Sequence, residues 1–446
     1  MSTGLNTEPT RGACLVSRSP FYYGWIIIVG STIGLIMTSP GQTYGVSPFV
    51  EHLIADLGIS RSLISTLFAV GPLAGSLALP FIGRGVDRRG PRFMGVLIAG
   101  ALGVSCMAMG LVDSTVTLCL GFVALRTFGK GGLDLVSTNV INQWWVRRRG
   151  MAIGIAGLGM SLLGFGAFPV FVNRLIAAYG WRSAYTILGL ILLLVMVPVS
   201  FILFRDHPED YGLKPDGYVK HSTELEKISG EHGAQAQPEA VLEETWTAGE
   251  AVRTVAFWIL VLGIGFIVMA GTGLFFHLVR IFGDNGLNAT IAAAVFVPIG
   301  LTQAAIILSS GLLADRVPVR FLLTIALVVQ ALSLTITQYM QSVTLALVYG
   351  ILLGITGGLM RLVASVVWAN YFGRRHLGSI TGISSVLLIG GSALGPVPLG
   401  IARDQLGSYQ APLIAMSVIS LVLAVASLFA KRPARAFAPE PQIKTS

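Results

Sequence analysis

Three basic side chains and one acidic side chain lie inside long apolar stretches of the sequence. Arg126, Lys130 and Asp134 are in the stretch 115–145, and Arg361 is in the stretch 342–372. Ionised groups at membrane depth are costly, so they usually face a water-filled cavity or a charged partner. We therefore interpret these four residues as candidates for a site that binds a charged ligand within a membrane.

The spacing and charge of these residues favour an anionic ligand. Arg126, Lys130 and Asp134 follow each other at intervals of four, which on a regular α-helix places them on one face, within about 80° of arc and about 12 Å of length. Together with Arg361 they carry a net charge of +2 if all are ionised, and apolar surroundings strengthen that field. The planar fork of an arginine fits a carboxylate. We predict that a small organic anion is bound by Arg126, Lys130 and Arg361, with Gln303 and Tyr44 as further candidates.

A purely structural role for the same charges is the alternative. The charges of 126–134 could neutralise each other along the helix face, and Arg361 could pair with a backbone carbonyl or with Asp134. Asp134 is the one acidic residue within the apolar stretches, which makes it the candidate for proton coupling, since burial and nearby cations shift the pKa of a carboxyl group in opposite directions. Anion exchange would need no titrating acid.

The composition excludes several classes of protein. Of the 446 residues, 54% are hydrophobic and only 11% are charged, whereas soluble domains are nearer one quarter charged. The net charge of +9 is spread over short loops between apolar runs, so we do not expect nucleic-acid binding. The sequence has no Cys/His metal spacing, no nucleotide-binding loop and no nucleophile–base pair. We predict no metal, no cofactor and no enzymatic activity.

Twelve apolar runs are long enough to cross a bilayer as helices, which takes about 20 residues each. A polar segment, 205–253, holds eleven acidic residues and separates six runs from six. This predicts an N-terminal tail (1–21), a six-helix bundle (22–204), a linker (205–253), a second bundle (254–430) and a C-terminal tail (431–446). The runs are 23–46, 62–82, 93–112, 115–145, 150–173, 183–204, 254–278, 289–312, 320–339, 342–372, 377–400 and 410–430.

The distribution of basic residues predicts the orientation. With the N-terminus inside, the outer loops hold five basic residues and the apolar runs hold three, which leaves 22 of 30 on the cytoplasmic side. Positive charge favours the cytoplasmic loops, so we expect both termini and the linker in the cytoplasm. The first run exceeds 20 residues and lacks a clear cleavage site, so we interpret it as a retained helix of a bacterial inner-membrane protein. His277, near the outer end of its run, is expected to be a solvated interfacial histidine.

Two loops show that the halves repeat. The segment 83–92 reads GRGVDRRGPR and the segment 311–320 reads GLLADRVPVR, an offset of 228 residues; Arg147-Arg148 and Arg374-Arg375 repeat at an offset of 227. Parallel repeats of this kind are typical of transporters that bind substrate between the halves. By the same offset Asp134 is equivalent to Arg361, and we expect the two to approach each other across the cavity. The predicted fold class is an all-α membrane protein with 12 transmembrane helices in two pseudo-symmetric six-helix bundles.

The segment 83–92 fits the G-x-x-x-D-R-x-G-x-R signature of the major facilitator superfamily at all five fixed positions, and 311–320 resembles a degraded copy of it. The resemblance covers about residues 21–430. It implies that the signature residues latch the halves together on the inner side when the carrier faces outward. A solvated basic loop is the alternative. These gating candidates are Asp87, Arg88, Arg92, Asp315 and Arg316.

Within that superfamily the chain resembles the monocarboxylate and oxalate/formate carriers at 22–25, 145–154, 180–185 and 277–280. The charge pattern of those carriers is absent. The stretch corresponding to their Asp and Arg in helix 8 has Gln303 and Ile307, and neither helix 1 nor helix 11 has their lysine. An anion would therefore be bound by a different set of cations.

These observations predict a secondary transporter that moves a mono- or dicarboxylate by alternating access, through proton symport or anion exchange. The expected partners are the substrate anion, protons and the lipid bilayer, and we expect a monomer. Two alternatives stay open. One is a carrier that exports an amphipathic compound, and the other is a sensor that uses the same scaffold without transport.

Overall fold

The computed structural model describes residues 16, 20–146, 148–217, 246–309, 316–373 and 376–433. All regular secondary structure in these residues is helical. Residues 218–245 of the predicted linker, Asp315 and the tail from 434 onward lie outside the described part. The principal helices are α1 (Gly24–Met37), α2 and α3 (the run Arg61–Met109, divided at Gly90), α4 (Thr115–Trp144), α5 and α6 (the run Arg149–Leu203, divided at Gly180), α7 (Val255–Asp284), α8 (Ala289–Leu308), α9 (Val319–Ile336), α10 (Val343–Phe372), α11 (Leu377–Leu394 continued by Pro396–Leu406) and α12 (Gln410–Leu428).

Two glycines divide the longest helical runs into pairs of membrane crossings. The run Arg61–Met109 has 49 residues, about 73 Å of helix, which is more than twice the thickness of the bilayer core. Gly90 has φ 79° and Gly180 has φ 76°, a backbone conformation that helices do not continue through. The ten membrane-length runs of the described chain therefore make twelve crossings, which confirms the predicted fold class.

Gly90 is also required by a close contact. A Cβ atom at this position would collide with the carboxylate of Asp206. That carboxylate accepts a hydrogen bond from the backbone N–H of Arg92 at 3.1 Å. The glycine of the GRGVDRRGPR segment therefore allows the end of α6 to dock against the turn between α2 and α3.

The first helix is shorter than predicted. The apolar run extends to residue 46, but α1 ends at Met37 and is followed by short helical turns up to Leu57. Pro40 and Pro48 lie in these turns, and a proline cannot donate the backbone hydrogen bond that a continuing helix needs.

Regular α-helix was also wrong for the middle of α4. Arg126–Leu133 is π-helical, with backbone hydrogen bonds spanning five residues instead of four. Two similar segments occur in α5 (Met160–Ala167) and α6 (Leu192–Met196). The predicted arc for Arg126, Lys130 and Asp134 therefore does not apply, although all three still face one cavity.

Small residues pack the helices closely, as their spacing predicted. A Cβ atom at Gly354 would lie 2.7 Å from the carbonyl oxygen of Ile299, and one at Gly358 would lie 2.6 Å from Ile306. These contacts join α10 to α8, because membrane helices associate best where small side chains let their backbones approach.

The two halves, α1–α6 and α7–α12, meet on only one side of the described structure. We call the face that carries residues 205–217 and 246–253 the linker side, and the other face the far side. Contacts between the halves join the far-side ends of α1, α2 and α5 to α7, α8 and α11. The described residues make no hydrogen bond or ion pair between the halves at the linker side. The protein is therefore closed on the far side and open towards the linker side.

Candidate functional site

A cavity of about 520 Å³ lies between α2, α4, α7 and α11, where both halves contribute to its wall. Three of the predicted site residues, Arg126, Lys130 and Asp134, line it together. Most of the remaining wall is apolar, and three hydroxyl groups interrupt it. The other lining residues are Pro72, Gly75, Ser76, Leu79, Gly131, Leu135, Thr138, Val268, Leu388, Ile389 and Ser392.

Arg126 is a buried cation without an acidic partner. Its side chain is 6% exposed, and its Nη2 donates to the Thr43 hydroxyl at 2.9 Å. The guanidinium carbon lies 4.4 Å from the centre of the Phe68 ring, a cation–π contact. Its Nε has no hydrogen-bond partner, and no carboxylate of the described residues pairs with it. A buried charge left in this state is costly until an anion reaches it.

Lys130 and Asp134 form a loose pair at the mouth of the same cavity. Lys130 Nζ lies 3.6 Å from Asp134 Oδ2, and their side chains are 53% and 36% exposed. An exposed pair at this distance contributes little to stability, so a ligand could separate it at small cost. The three charged residues of the cavity wall carry a net charge of +1.

Arg361 projects from the other half into the open region. It is exposed and makes no hydrogen bond or ion pair with any described residue. The charges of Arg361, Arg126 and Asp134 all act on the hydroxyl of Tyr44, so the four groups surround one centre. The predicted approach of Asp134 to Arg361 does not occur in this conformation, since Asp134 pairs with Lys130.

Tyr44 belongs to a cluster of four aromatic rings that closes the far side. Its ring centre lies 4.5 Å from that of Phe165 and 6.3 Å from that of Phe296, and Phe275 contacts both phenylalanines at 5.3 and 5.5 Å. We call these four residues the aromatic plug. They come from both halves, so the plug must separate if the far side opens.

Gln303 also lies in the contact between the halves, not in the cavity wall. It is buried, and its Oε1 lies 3.2 Å from the hydroxyl of Ser161 on α5. Gly300, one turn earlier on α8, contacts the same hydroxyl and the backbone of Gly166. The structure thus brings Gln303 and Tyr44 together with the far-side closure, and brings Arg126, Lys130 and Asp134 together in the cavity.

Polar contacts complete the closure on the far side. The backbone N–H of Ser62 donates to Asp404 at 2.6 Å, and Ser65 Oγ lies 3.3 Å from Nε2 of His277. His277 is fully buried and also contacts the carbonyl oxygen of Pro396 at 3.0 Å. The expectation of a solvated histidine was wrong, because this residue packs between the two halves.

The gating candidates are disengaged in this conformation. Asp87 and Arg88 are exposed and have no partner among the described residues. Arg92 holds the end of α6, where its Nε donates to the Phe201 carbonyl at 2.8 Å. Arg316 is exposed beside a separate pocket of the second half. A latch on the linker side would have to form in another conformation.

Sequence reasoning missed three residues of the site, Thr43, Phe68 and Ser161. All are neutral, and hydroxyl or aromatic residues are too common in membrane helices to stand out. Thr43 follows a break at Pro40, and irregular backbone at membrane depth usually lines a cavity. That break was the available signal for Thr43.

Comparison with known proteins agrees with this architecture. Residues 32–317 and 265–445 match the Major Facilitator Superfamily. The oxalate:formate antiporter of Oxalobacter formigenes is 26% identical over 242 residues, 53% of this chain and 50% of the antiporter, so the chain spans about half the length of that relative. Human monocarboxylate transporter 2 is 22% identical over 418 residues, 87% of this chain and 81% of that protein.

The fold also resembles a solved structure. A bacterial homologue of the human lysosomal transporter Spinster, crystallised in an inward-facing and occupied conformation, superposes with a TM-score of 0.64 at 17% identity. The alignment covers 92% of this chain and 96% of that one. The chain therefore belongs to the Major Facilitator Superfamily, and it is a multi-pass integral membrane protein that works as a secondary transporter, not as an enzyme.

Proposed function

We propose that this transporter carries a small organic anion, a mono- or dicarboxylate, by alternating access. The observation that carries the proposal is the guanidinium of Arg126, which is buried at the cavity and has no acidic partner. A carboxylate is the ligand that best completes such a group, because it offers two oxygens to the two parallel N–H donors of arginine. The printed names of two relatives, an oxalate:formate antiporter and a monocarboxylate transporter, also refer to carboxylates.

The neighbours of Arg126 support a binding role. Phe68 and Thr43 hold the guanidinium from the side, which fixes its orientation before the ligand arrives, and preorganisation of this kind favours affinity. Lys130 provides a second cation at the cavity mouth. Leu79, Leu388 and the other apolar residues of the wall favour an anion with a short hydrocarbon body over a fully hydrated inorganic ion.

Coupling is assigned to the Lys130–Asp134 pair. An arriving carboxylate competes with Asp134 for the ammonium group, and the displaced aspartate can then take up a proton. This describes proton symport. If Asp134 stays ionised throughout, the same cavity would work by anion exchange, with one carboxylate replacing another. Arg361 enters the site from the second half and would contact the substrate as the halves rock together, while Gln303 and Tyr44 become accessible when the far side opens.

The orientation completes the proposal. The excess of basic residues in the linker-side segments favours a cytoplasmic location for both termini, in a bacterial inner membrane. The open side of the described conformation would then face the cytoplasm.

Uptake into proteoliposomes tests the function. Purified protein is reconstituted and supplied with radiolabelled acetate, lactate, oxalate or succinate, with and without an inward proton gradient. We expect saturable uptake of at least one of these anions, and a loss of at least tenfold in Arg126→Gln, since one charged hydrogen-bonded contact is worth about 1.5–3 kcal/mol. Arg126→Lys keeps the charge but loses the fork, and we expect an intermediate rate.

The matched control is Arg89→Gln. Arg89 lies on the linker side, over the ring of Phe93 and away from the cavity, so its uptake should equal that of the wild type. Equal uptake by the wild type and Arg126→Gln would refute the assignment. Flux of a neutral amphipathic compound without carboxylate flux would support the efflux alternative, and tight carboxylate binding without any flux would support the sensor.

A further inference from the structure

A second pocket, of about 400 Å³, lies at the linker side of the second half and is separate from the central cavity. It is formed where α9 begins and where α10 and α12 end. Four basic residues line it, together with the aromatic ring of Tyr371 and the short apolar segment 317–319. The basic residues are Arg316, Arg320, Lys431 and Arg432. We call this site the basic pocket.

The positive charge of the basic pocket is uncompensated in the described chain. None of the described lining residues is acidic, and the four basic side chains make no hydrogen bond or ion pair with any described residue. The Nε of Arg320 is buried and has no hydrogen-bond partner. Like charges gathered around one concavity repel each other unless an anion is bound among them.

The equivalent position of the first half shows what is missing. By the offset of 228 residues Arg320 corresponds to Arg92, whose Nε donates to the Phe201 carbonyl and whose backbone N–H donates to Asp206. The first half thus supplies its own carboxylate at this corner. In the second half the sequence after α12 reads Lys431-Arg432-Pro-Ala-Arg and has no acid before Glu440.

We propose that the basic pocket binds a phosphate group, and that the position of the pocket favours the headgroup of an anionic phospholipid as its source. The pocket lies at the ends of three membrane-length helices, where lipid headgroups are, and basic pockets between transmembrane helices bind such headgroups. Val317 and Val319 would contact the glycerol and the first methylenes, while Arg320 and Lys431 hold the phosphate. A free phosphate ion offers the same chemistry without the apolar part.

Native mass spectrometry of the purified full-length protein tests this proposal. The protein is titrated in detergent with dioleoyl phosphatidylglycerol, with dioleoyl phosphatidylcholine and with inorganic phosphate. We expect phosphatidylglycerol adducts at concentrations at least tenfold below those for phosphatidylcholine. Arg320→Gln combined with Lys431→Gln should lower phosphatidylglycerol affinity about tenfold. Arg432→Gln, an exposed single change, should lower it less and serves if the double variant folds poorly.

The control is the double variant Arg84→Gln/Arg89→Gln, two exposed linker-side arginines of the first half that stack on Phe81 and Phe93. It should keep the affinity of the wild type. Equal loss in the control and in the basic-pocket variants would show that general positive charge is responsible, which overturns the proposal. Competition by inorganic phosphate at equal concentration would support a phosphate site but reject the lipid as its source. Unchanged binding in Arg320→Gln/Lys431→Gln would overturn both.

Discussion

The hydroxyl of Ser161 lies 3.0 Å from the carbonyl oxygen of Gly300 and 3.2 Å from the amide oxygen of Gln303. Its single proton can be given to either acceptor, and both acceptors belong to the other half of the molecule. This contact lies near the middle of α5 and α8, at the inner limit of the far-side closure. The closure therefore depends on a few neutral groups packed very closely, and not on ion pairs alone.

Gly300→Val should weaken the far-side closure. A side chain at residue 300 would collide with the Ser161 carbonyl oxygen and would lie 3.0 Å from Gly166 Cα, so the helices must move apart. We expect the population open on the far side to rise about tenfold, which corresponds to about 1.4 kcal/mol. Electron–electron resonance distances between spin labels at residues 113 and 290, in the far-side loop before α4 and at the start of α8, would report it.

Gly100→Val is the control for that experiment, because a Cβ atom at Gly100 meets nothing within 4 Å. It should leave the distance distribution unchanged. An unchanged distribution in Gly300→Val as well would mean that the contact between α5 and α8 does not determine the closed state.

Arg361→Gln should abolish anion uptake while the protein still inserts and folds. Arg361 is exposed and unpaired among the described residues, so its removal breaks no folded-state interaction, whereas the cavity loses the cation contributed by the second half. We expect uptake at least tenfold below the wild type, with an unchanged elution profile on size-exclusion chromatography. Normal uptake would remove Arg361 from the site.

Asp134→Asn should separate binding from coupling. The change removes the partner of Lys130 and raises the net charge of the cavity wall from +1 to +2, which favours an anion. We expect equal or tighter substrate binding by isothermal titration calorimetry, together with loss of the stimulation of uptake by a proton gradient. If the gradient stimulates this variant as strongly as the wild type, the protons are carried by another group.

Gly90→Ala should destabilise the first half. Residue 90 has φ 79°, and a methyl group there would meet the carboxylate of Asp206. Strain of this kind costs about 1–3 kcal/mol, so thermal unfolding followed by tryptophan fluorescence should shift several degrees lower. Gly83→Ala, in the same signature segment but with nothing within 4 Å of its Cβ, should unfold like the wild type.

Much of the fold could be predicted because it depends on the length and composition of apolar runs. The twelve crossings, the close packing of Gly354 and Gly358 on α8, and the position of Arg126, Lys130 and Asp134 in one cavity all follow from that pattern. The sequence could not reveal the partners. Whether Asp134 pairs with Lys130 or Arg361 depends on the conformation that the halves adopt, and the burial of His277 depends on a contact between residues more than 200 positions apart.

The three π-helical segments all belong to α4, α5 and α6, and the described helices of the second half contain none. A wide turn holds one surplus residue, and passing that residue to the next turn would rotate the helix beyond it by about 100°. In α4 such a slip would swing the Lys130 ammonium group towards or away from the cavity while the helix ends stay in place. The first half could thus re-aim its charges by itself, in a step distinct from the motion of one bundle against the other.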